Sequence, residues 1–401
     1  MKVLVLIGRY LPGYRAGGPV RSVTNMIAGM PDRFDFWVYT ADRDLGDDKP
    51  YAGLQRDAWS KRDRTHIRYV SPRQDSLYGL IRTVRELQPD VVYASSLFSR
   101  TTIRYLIARR CGLVPDRPLI VAPRGELSPG ALGLKQLRKS TFLASASVSG
   151  LFDGIVWQAT AERERNEITE TLQRFRRRGE EASVLVAPNV TGAPGAERGH
   201  GALDSPPPKR SGTARFVFLS RISPMKNLAF GIRRLATLRG EVTLDLYGPM
   251  ESQSYWREVE AAIAGLPASV VVRYLGALPP ADVPGVFASH DFFLFPTLGE
   301  NFGHVIFESL NSGCPVVLSD MTPWRGLELQ HAGWDLPLGD EAAWVNTLQR
   351  CVDMGGEEHL EWRKCARRCA ASTNASEDGI KLIVNLFERN SAPTDRPKSR
   401  M

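Results

Sequence analysis

The chain has 401 residues, of which 43% are hydrophobic and 24% charged, with a formal net charge of +8. This is ordinary globular composition, long enough for two cores, and no apolar run approaches the ~18–20 residues of a membrane-spanning helix. The five cysteines (Cys111, Cys314, Cys351, Cys365 and Cys369) are few and unpatterned; they exclude a disulfide scaffold and fit a reducing, cytoplasmic setting.

The first apolar run, Val3–Ile7, reads as a buried strand. Arg9 ends it too early for a secretory leader, and no small-residue cleavage site follows. The loop after it, Gly8 to Pro19, carries Gly13, Gly17 and Gly18 and opens a helix with apolar Val20, Val23, Ile27 and Met30. Pro19 suits the first helical position, and Gly17 and Gly18 let a ligand approach the backbone closely. The glycine spacing is not that of the dinucleotide fingerprint. Further strands are predicted near Phe34–Thr40, Asp90–Ala94, Leu119–Ala122, Ile155–Gln158 and Ser183–Val186. Asp42-Arg43-Asp44 spells an aspartate pair but has no supporting context, so no metal site is expected there.

The stretch 191–212 is rich in Gly and Pro and is expected to be a linker between a domain at 1–190 and a second at 213–372. The second domain is predicted to hold strands near Arg215–Leu219, Val242–Tyr247, Val270–Leu275, Phe292–Phe295 and Val316–Ser319. All these runs are continuous rather than alternating, as in strands covered on both faces. Their alternation with helical stretches implies two doubly wound, parallel α/β domains of Rossmann type. A helix over 373–389 and a disordered tail over 390–401 complete the chain.

Charge is unevenly divided. Residues 1–200 carry 31 Lys and Arg against 21 Asp and Glu, and residues 201–401 carry 21 against 23. A basic half can meet nucleic acid, anionic lipid or phosphate-bearing substrates. No helix-turn-helix, zinc-finger or RNA-recognition pattern is present, so nucleic acid is set aside. Lys135, Arg138 and Lys139 flank Leu134, Phe142 and Leu143 at near-helical spacing. This is a candidate face for an anionic membrane surface, with packing into the domain core as the alternative.

The strongest local signal begins at the run Phe292–Pro296, which leads through Thr297-Leu298-Gly299-Glu300-Asn301-Phe302-Gly303-His304 into a helix containing Glu308, ended by Gly313. Strand, loop, glycine and helix N-terminus together make an anion site, with backbone N–H groups near Phe302, Gly303 and His304 aimed at a phosphate. Glu300 and Glu308 flank it, and a carboxylate suits sugar hydroxyls because it only accepts hydrogen bonds. A second signal is Arg221, delivered by a buried strand, with Lys226 on the following loop. Two fixed cations there suit the charge developing on a departing diphosphate.

Glu300, seven residues and Glu308, followed by Gly313-Cys314-Pro315-Val316-Val317, resemble the paired-glutamate signature of retaining glycosyltransferases of the large fourth family. The run Glu300–His304 with Ser319-Asp320-Met321-Thr322-Pro323-Trp324 resembles a bacterial polysaccharide-assembly branch of it. The resemblance implies a GT-B-like fold, two Rossmann-like domains facing across a cleft, the first binding acceptor and the second a nucleotide-sugar donor, with the C-terminal helix crossing back to the first domain. It implies that Glu308 binds ribose hydroxyls, that Glu300 lies beside the transferred sugar, and that the amides of Asn301–Gly303 hold sugar or phosphate oxygens. It likewise implies that Arg221 and Lys226 neutralise the leaving group without a metal or other cofactor, and that Gly17 and Gly18 belong to a loop reaching the donor phosphate. Relatives carry a histidine near Ala122-Pro123-Arg124-Gly125-Glu126. Here Arg124 or Glu126 occupies the region, and each could meet donor or acceptor or form a loop ion pair. The acceptor is expected to be a glycan or a lipid-linked molecule at the inner membrane face. A nucleotide-sugar epimerase and a non-enzymatic sugar-nucleotide or lipid-binding protein are the rival readings.

Overall fold

The computed structural model describes residues 1–133, 136–175, 182–190, 208–373 and 376–391. Most of the expected linker, the tail beyond 391, and Leu134 and Lys135 lie outside them. The chain divides into two compact units. One comprises residues 1–13, 22–190 and 376 onward; the other comprises 14–21 and 191–375.

The first unit is built on eight strands: β1 (Lys2–Ile7), β2 (Asp35–Ala41), β3 (Ser60–Arg62), β4 (Thr65–Val70), β5 (Val91–Ser95), β6 (Leu119–Ala122), β7 (Ile155–Ala159) and β8 (Ser183–Val186). Their spatial order is β3-β4-β2-β1-β5-β6-β7-β8, and every pairing is parallel except β3 with β4. One face carries Leu4, Leu6, Val92, Ala94, Leu119 and Val121, packed with Leu80, Val84, Leu106, Leu143, Ile168 and Leu172 from the helices Leu77–Leu87, Arg100–Arg110, Gln136–Val148 and Glu162–Phe175. The C-terminal helix, Ser376–Ser391, belongs to this unit. Its Phe387 ring meets Phe34, Phe36 and Tyr93, and Glu388 pairs with Arg33.

The second unit has six strands, β9 (Thr213–Leu219), β10 (Glu241–Tyr247), β11 (Val270–Tyr274), β12 (Phe292–Phe295), β13 (Val316–Ser319) and β14 (Gly333–Leu336), in the order β11-β10-β9-β12-β13-β14. All pairings are parallel. This is the doubly wound order, and the direction of winding reverses between β9 and β12. Ligands in such sheets bind at that reversal, beyond the carboxyl ends of the strands.

The strands predicted from continuous apolar runs are all present. Three were missed. In β4, buried Thr65, Ile67 and Tyr69 alternate with less buried His66 and Arg68, a pattern unlike the continuous runs of its neighbours. β14 is short and starts at a glycine, and β3 is a three-residue polar edge returning antiparallel through Asp63, which sits at φ 51°.

One end of the expected linker is structured. Lys209 is buried, and its ammonium donates to the carbonyls of Arg210, Thr213, Val352 and Met354 at 2.7–3.3 Å. Burial pushes its pKa below the usual lysine range. The segment before β9 is therefore anchored in the core of the second unit. The membrane-face residues also resolve in part: Leu143 is buried and Phe142 packs on the core, in ring contact with Phe98 and Phe152. Core packing is what these two residues do. Lys139 donates to the Ala131 carbonyl and lies 5.1 Å over the Phe98 ring. Among the described residues, no helix is long and apolar enough to cross a membrane.

Candidate active site

At the reversal point of the second sheet, the turn after β9 and the loop after β12 are bonded to one another. Pro224–Lys226 forms a 3-10 turn. Its Met225 carbonyl accepts from Leu298 N at 2.8 Å and from the Thr297 hydroxyl at 3.1 Å. On the other side Glu300 N donates to the Met321 carbonyl at 3.1 Å, and the Trp324 indole donates to the Phe302 carbonyl at 2.7 Å. The loop 297–303 is thus pinned between the segments that follow β9 and β13. Ser319, fully buried at the end of β13, adds a hydroxyl bond to the Thr297 carbonyl.

Two predicted residues meet here. Lys226 Nζ lies 2.7 Å from Glu300 Oε2 and 5.1 Å from the centre of the Phe295 ring. The other oxygen of Glu300 accepts from Asn301 N at 3.2 Å. Both side chains are mostly buried, so the pair holds one geometry in a medium where a charge-assisted bond is strong. Asn301 Nδ2 is buried and, among the described residues, has no hydrogen-bond partner, an available donor on the loop.

The helix His304–Asn311 starts at Gly303, whose φ is 77°, and no side chain caps it. The first N–H groups of such a helix have no intrahelical acceptor, and the dipole favours an anion there. A Cβ at Gly303 would lie 2.6 Å from Ile306 Cδ1 and 3.2 Å from Glu300 Cγ. The position needs glycine for both its conformation and the close packing. The His304 ring is tilted against Phe302, with ring centres 4.7 Å apart. Glu308 sits within the helix, nearly buried, and pairs with Arg21, a residue the sequence reading had not singled out. The segment Tyr14–Arg21, carrying Gly17 at φ 73° and Gly18, groups with this unit. A Cβ at Gly18 would be 3.9 Å from the His304 ring.

The expected two-cation clamp is divided. Arg221 is a third exposed and donates to Glu251 at 2.8 Å, on the segment after β10. Only Lys226 of the two is held against Glu300. Asp42 pairs with Arg43 at 2.8 Å and with Arg56 at 3.6 Å. Among the described residues, no group of three or more His, Cys, Asp or Glu is arranged to hold a metal ion.

Arg124 and Glu126 lie in the first unit, after β6. Glu126 is used internally: Oε1 accepts from the Ser96 hydroxyl at 2.6 Å, and Oε2 from the N–H groups of Leu97 and Phe98 at 2.6 and 3.2 Å. Burial still pushes its carboxyl above the usual range, against those donors. Glu126 thus fastens the loop after β5, and among the described residues it makes no ion pair, one of the alternatives open for this loop. Arg124, at φ 58°, donates to the Tyr93 hydroxyl at 2.7 Å and to Asn189 Oδ1.

The two-domain, parallel-sheet architecture defines the class: it is the GT-B fold of solved glycosyltransferases. The Anabaena protein HepE, solved with UDP-glucose, superposes with a TM-score of 0.65 over 97% of this chain and 100% of that one, at 19% identity. More particularly, residues 213–354, which carry Arg221, Lys226, Glu300 and Glu308, match the family model described as glycosyl transferases group 1. The chain is 30% identical over 112 residues to the O-antigen chain mannosyltransferase B of Escherichia coli, which is 26% of this chain and 28% of that protein. It is 35% identical over 79 residues to the phosphatidyl-myo-inositol mannosyltransferase of Mycobacterium leprae, 19% of this chain and 21% of that one. The matched stretches therefore span less than a third of either relative.

Proposed function

We propose that the chain is a glycosyltransferase that moves a sugar from a nucleotide-sugar donor to a glycan or lipid-linked acceptor in bacterial surface polysaccharide assembly, with retention at the anomeric carbon. The observation that carries this reading is the Lys226–Glu300 pair, set at the reversal point of the second sheet beside an uncapped helix N-terminus. It falls inside the stretch that matches group 1 glycosyl transferases.

In this reading the diphosphate lies at the N-terminus of helix 304–311, where N–H groups and the dipole offset its charge. Lys226 approaches the leaving phosphate and holds Glu300 toward the sugar, whose hydroxyls donate to the carboxylate. Asn301 Nδ2 supplies a further donor, and Glu308 accepts from the ribose once Arg21 gives way. Fixed cations meet the leaving-group charge, so transfer needs no metal. Attack comes from the face the diphosphate leaves, with the leaving phosphate taking the acceptor proton. The first unit binds the acceptor, and its basic balance favours an anionic membrane face. The names of the curated relatives make a mannosyl donor one candidate and the HepE complex makes UDP-glucose another.

Nucleotide sugars are screened by thermal shift, and product formation is then followed with and without acceptors. A donor that protects the fold, is turned over only with an acceptor and tolerates excess EDTA supports the reading. Interconversion of the free donor sugar indicates an epimerase, and protection without any turnover indicates a binding protein. Glu308→Ala should raise the donor KM by about tenfold or more, the loss of a charge-assisted bond. An unchanged KM sinks its ribose role.

A further inference from the structure

Among the described residues, Arg124 is a cation with no carboxylate in ion-pair contact. Its hydrogen bonds go to two neutral groups, Asn189 Oδ1 and the Tyr93 hydroxyl. The Tyr93 hydroxyl in turn donates to Gln158 Oε1 at 2.8 Å, and Gln158 donates to the Ala187 carbonyl at 2.8 Å. The chain of bonds ends on a peptide group and never reaches an acid. The two carboxylates bonded to the loops beside it are spent elsewhere. Glu126 serves Ser96, Leu97 and Phe98. Glu164 accepts from Gly125 N, Thr160 N and the Thr160 hydroxyl, each at 2.7 Å. A guanidinium has five N–H donors. Two are used here, and Nε is buried with no partner in the protein.

The backbone at this place is equally particular. Ser95 of β5 is in register with Ala122 of β6, and just beyond them stand two non-glycine residues at positive φ, Ser96 at 88° and Arg124 at 58°. Such conformations are costly and persist only where the surroundings impose them. Here the carboxylate of Glu126 holds Ser96, while Tyr93 and Asn189 hold Arg124. Both residues lie at the carboxyl edge of a parallel sheet, the side on which such sheets bind ligands.

We propose that Arg124 is a specificity-determining residue for an anionic acceptor, one that carries a phosphate or carboxylate group. Desolvating a cation without a counter-charge is costly, and a bound oxyanion supplies that charge through the donors Arg124 has left. The proposal rests on the glycosyltransferase reading, because it deepens the role of the first unit as the acceptor domain.

The test saturates the donor site with the nucleotide diphosphate that protects the wild type. Binding of a hexose phosphate, of glucuronate and of an uncharged methyl hexoside is then titrated by calorimetry. We expect the anionic sugars to bind more weakly as salt rises, and the methyl hexoside not to bind measurably. Phosphate and carboxylate are separated by which of the first two binds more tightly. Arg124→Gln should weaken the anion by about tenfold or more. Asn189→Asp should do the same by a different route, placing an acid against the guanidinium while raising Tm. That second variant keeps the proposal exposed if Arg124→Gln fails to fold. Failure of the wild type to bind either anionic sugar, or equal binding by Asn189→Asp, overturns it. Retained nucleotide binding in either case leaves the donor reading standing, whereas loss of nucleotide protection in the wild type is a failure of that reading.

Discussion

The loops beyond β5, β6 and β7 in the first unit are held by carboxylates bonded to neutral donors: Glu126 to Ser96, Leu97 and Phe98, and Glu164 to Gly125 and Thr160. In the second unit, both ends of β12 are held by charged partners. Lys226 meets Glu300 beyond its carboxyl end, and Arg215 meets Asp291 at 2.5 Å before its start, where Arg363 also donates to the carbonyls of His290 and Ala288. The difference is one of timing. Neutral donors on a buried carboxylate make a scaffold that stays shut. A buried ion pair can exchange one partner for a charged ligand, because the ligand offers the same chemistry. On the proposed function the second unit trades partners with a diphosphate, while the first fixes its loops and, among the described residues, leaves Arg124 without a carboxylate partner.

The largest effect should come from breaking the charged contact at the second site. Lys226→Ala removes the cation from the proposed leaving group and leaves Glu300 without its partner. A loss of turnover of about 10²–10³-fold is expected, as for one oxyanion donor, with the parallel sheet intact by circular dichroism. Turnover within threefold of wild type would show that the pair is scaffold, like its counterparts in the first unit. Arg221→Ala should cost less, because Arg221 is already engaged by exposed Glu251.

The other end of β12 gives the next effect, on stability. His359 donates to the Asp291 carbonyl at 3.0 Å, and burial lowers its pKa from 6.5 to about 4. Arg363 and Lys209 lie close enough to lower it further, and Asp291 acts against them. The neutral imidazole is the folded form. Its contribution is therefore complete above pH 6.5 and is lost as pH falls toward 4, at about 3 kcal/mol in all. Urea midpoints of wild type and His359→Gln, taken at pH 7.5 and 4.5, should converge at the lower pH. A constant gap between them would refute the linkage.

How far this contrast could be read from sequence depends on distance along the chain. Continuous runs such as Val91–Ser95 and Phe292–Phe295 marked strands because both faces are covered, and the order of those strands places Lys226 beside Glu300 although 74 residues separate them. The roles in the first unit were not legible. Glu126 answers donors 28–30 residues earlier, and Arg124 answers Asn189 65 residues later. No local motif announces that a carboxylate will be spent on backbone N–H groups. The same holds for Lys209, which reads as linker by composition yet caps four carbonyls because β9 begins and the helix Glu341–Asp353 ends beside it.

The smallest effect tests the scaffold itself. Burial lifts the Glu126 carboxyl above the ordinary range, so its ionised form is a cost at neutral pH, and the wild type should regain stability relative to a neutral variant as pH falls through that raised value. Glu126→Gln keeps an oxygen for the Leu97 and Phe98 N–H groups, and the Ser96 hydroxyl can turn to accept from the new amide. Its change in stability at pH 7 should stay within about 1 kcal/mol, since the weaker neutral bonds are offset by removing the cost of a buried charge. Glu126→Ala is different: it orphans two N–H groups and releases Ser96 from its positive φ, for about 1–3 kcal/mol. Comparing urea midpoints of the two variants separates shape from charge. If Gln proves as damaging as Ala, the negative charge itself is required at Glu126, and the contrast between a neutral scaffold in the first unit and an exchangeable ion pair in the second fails.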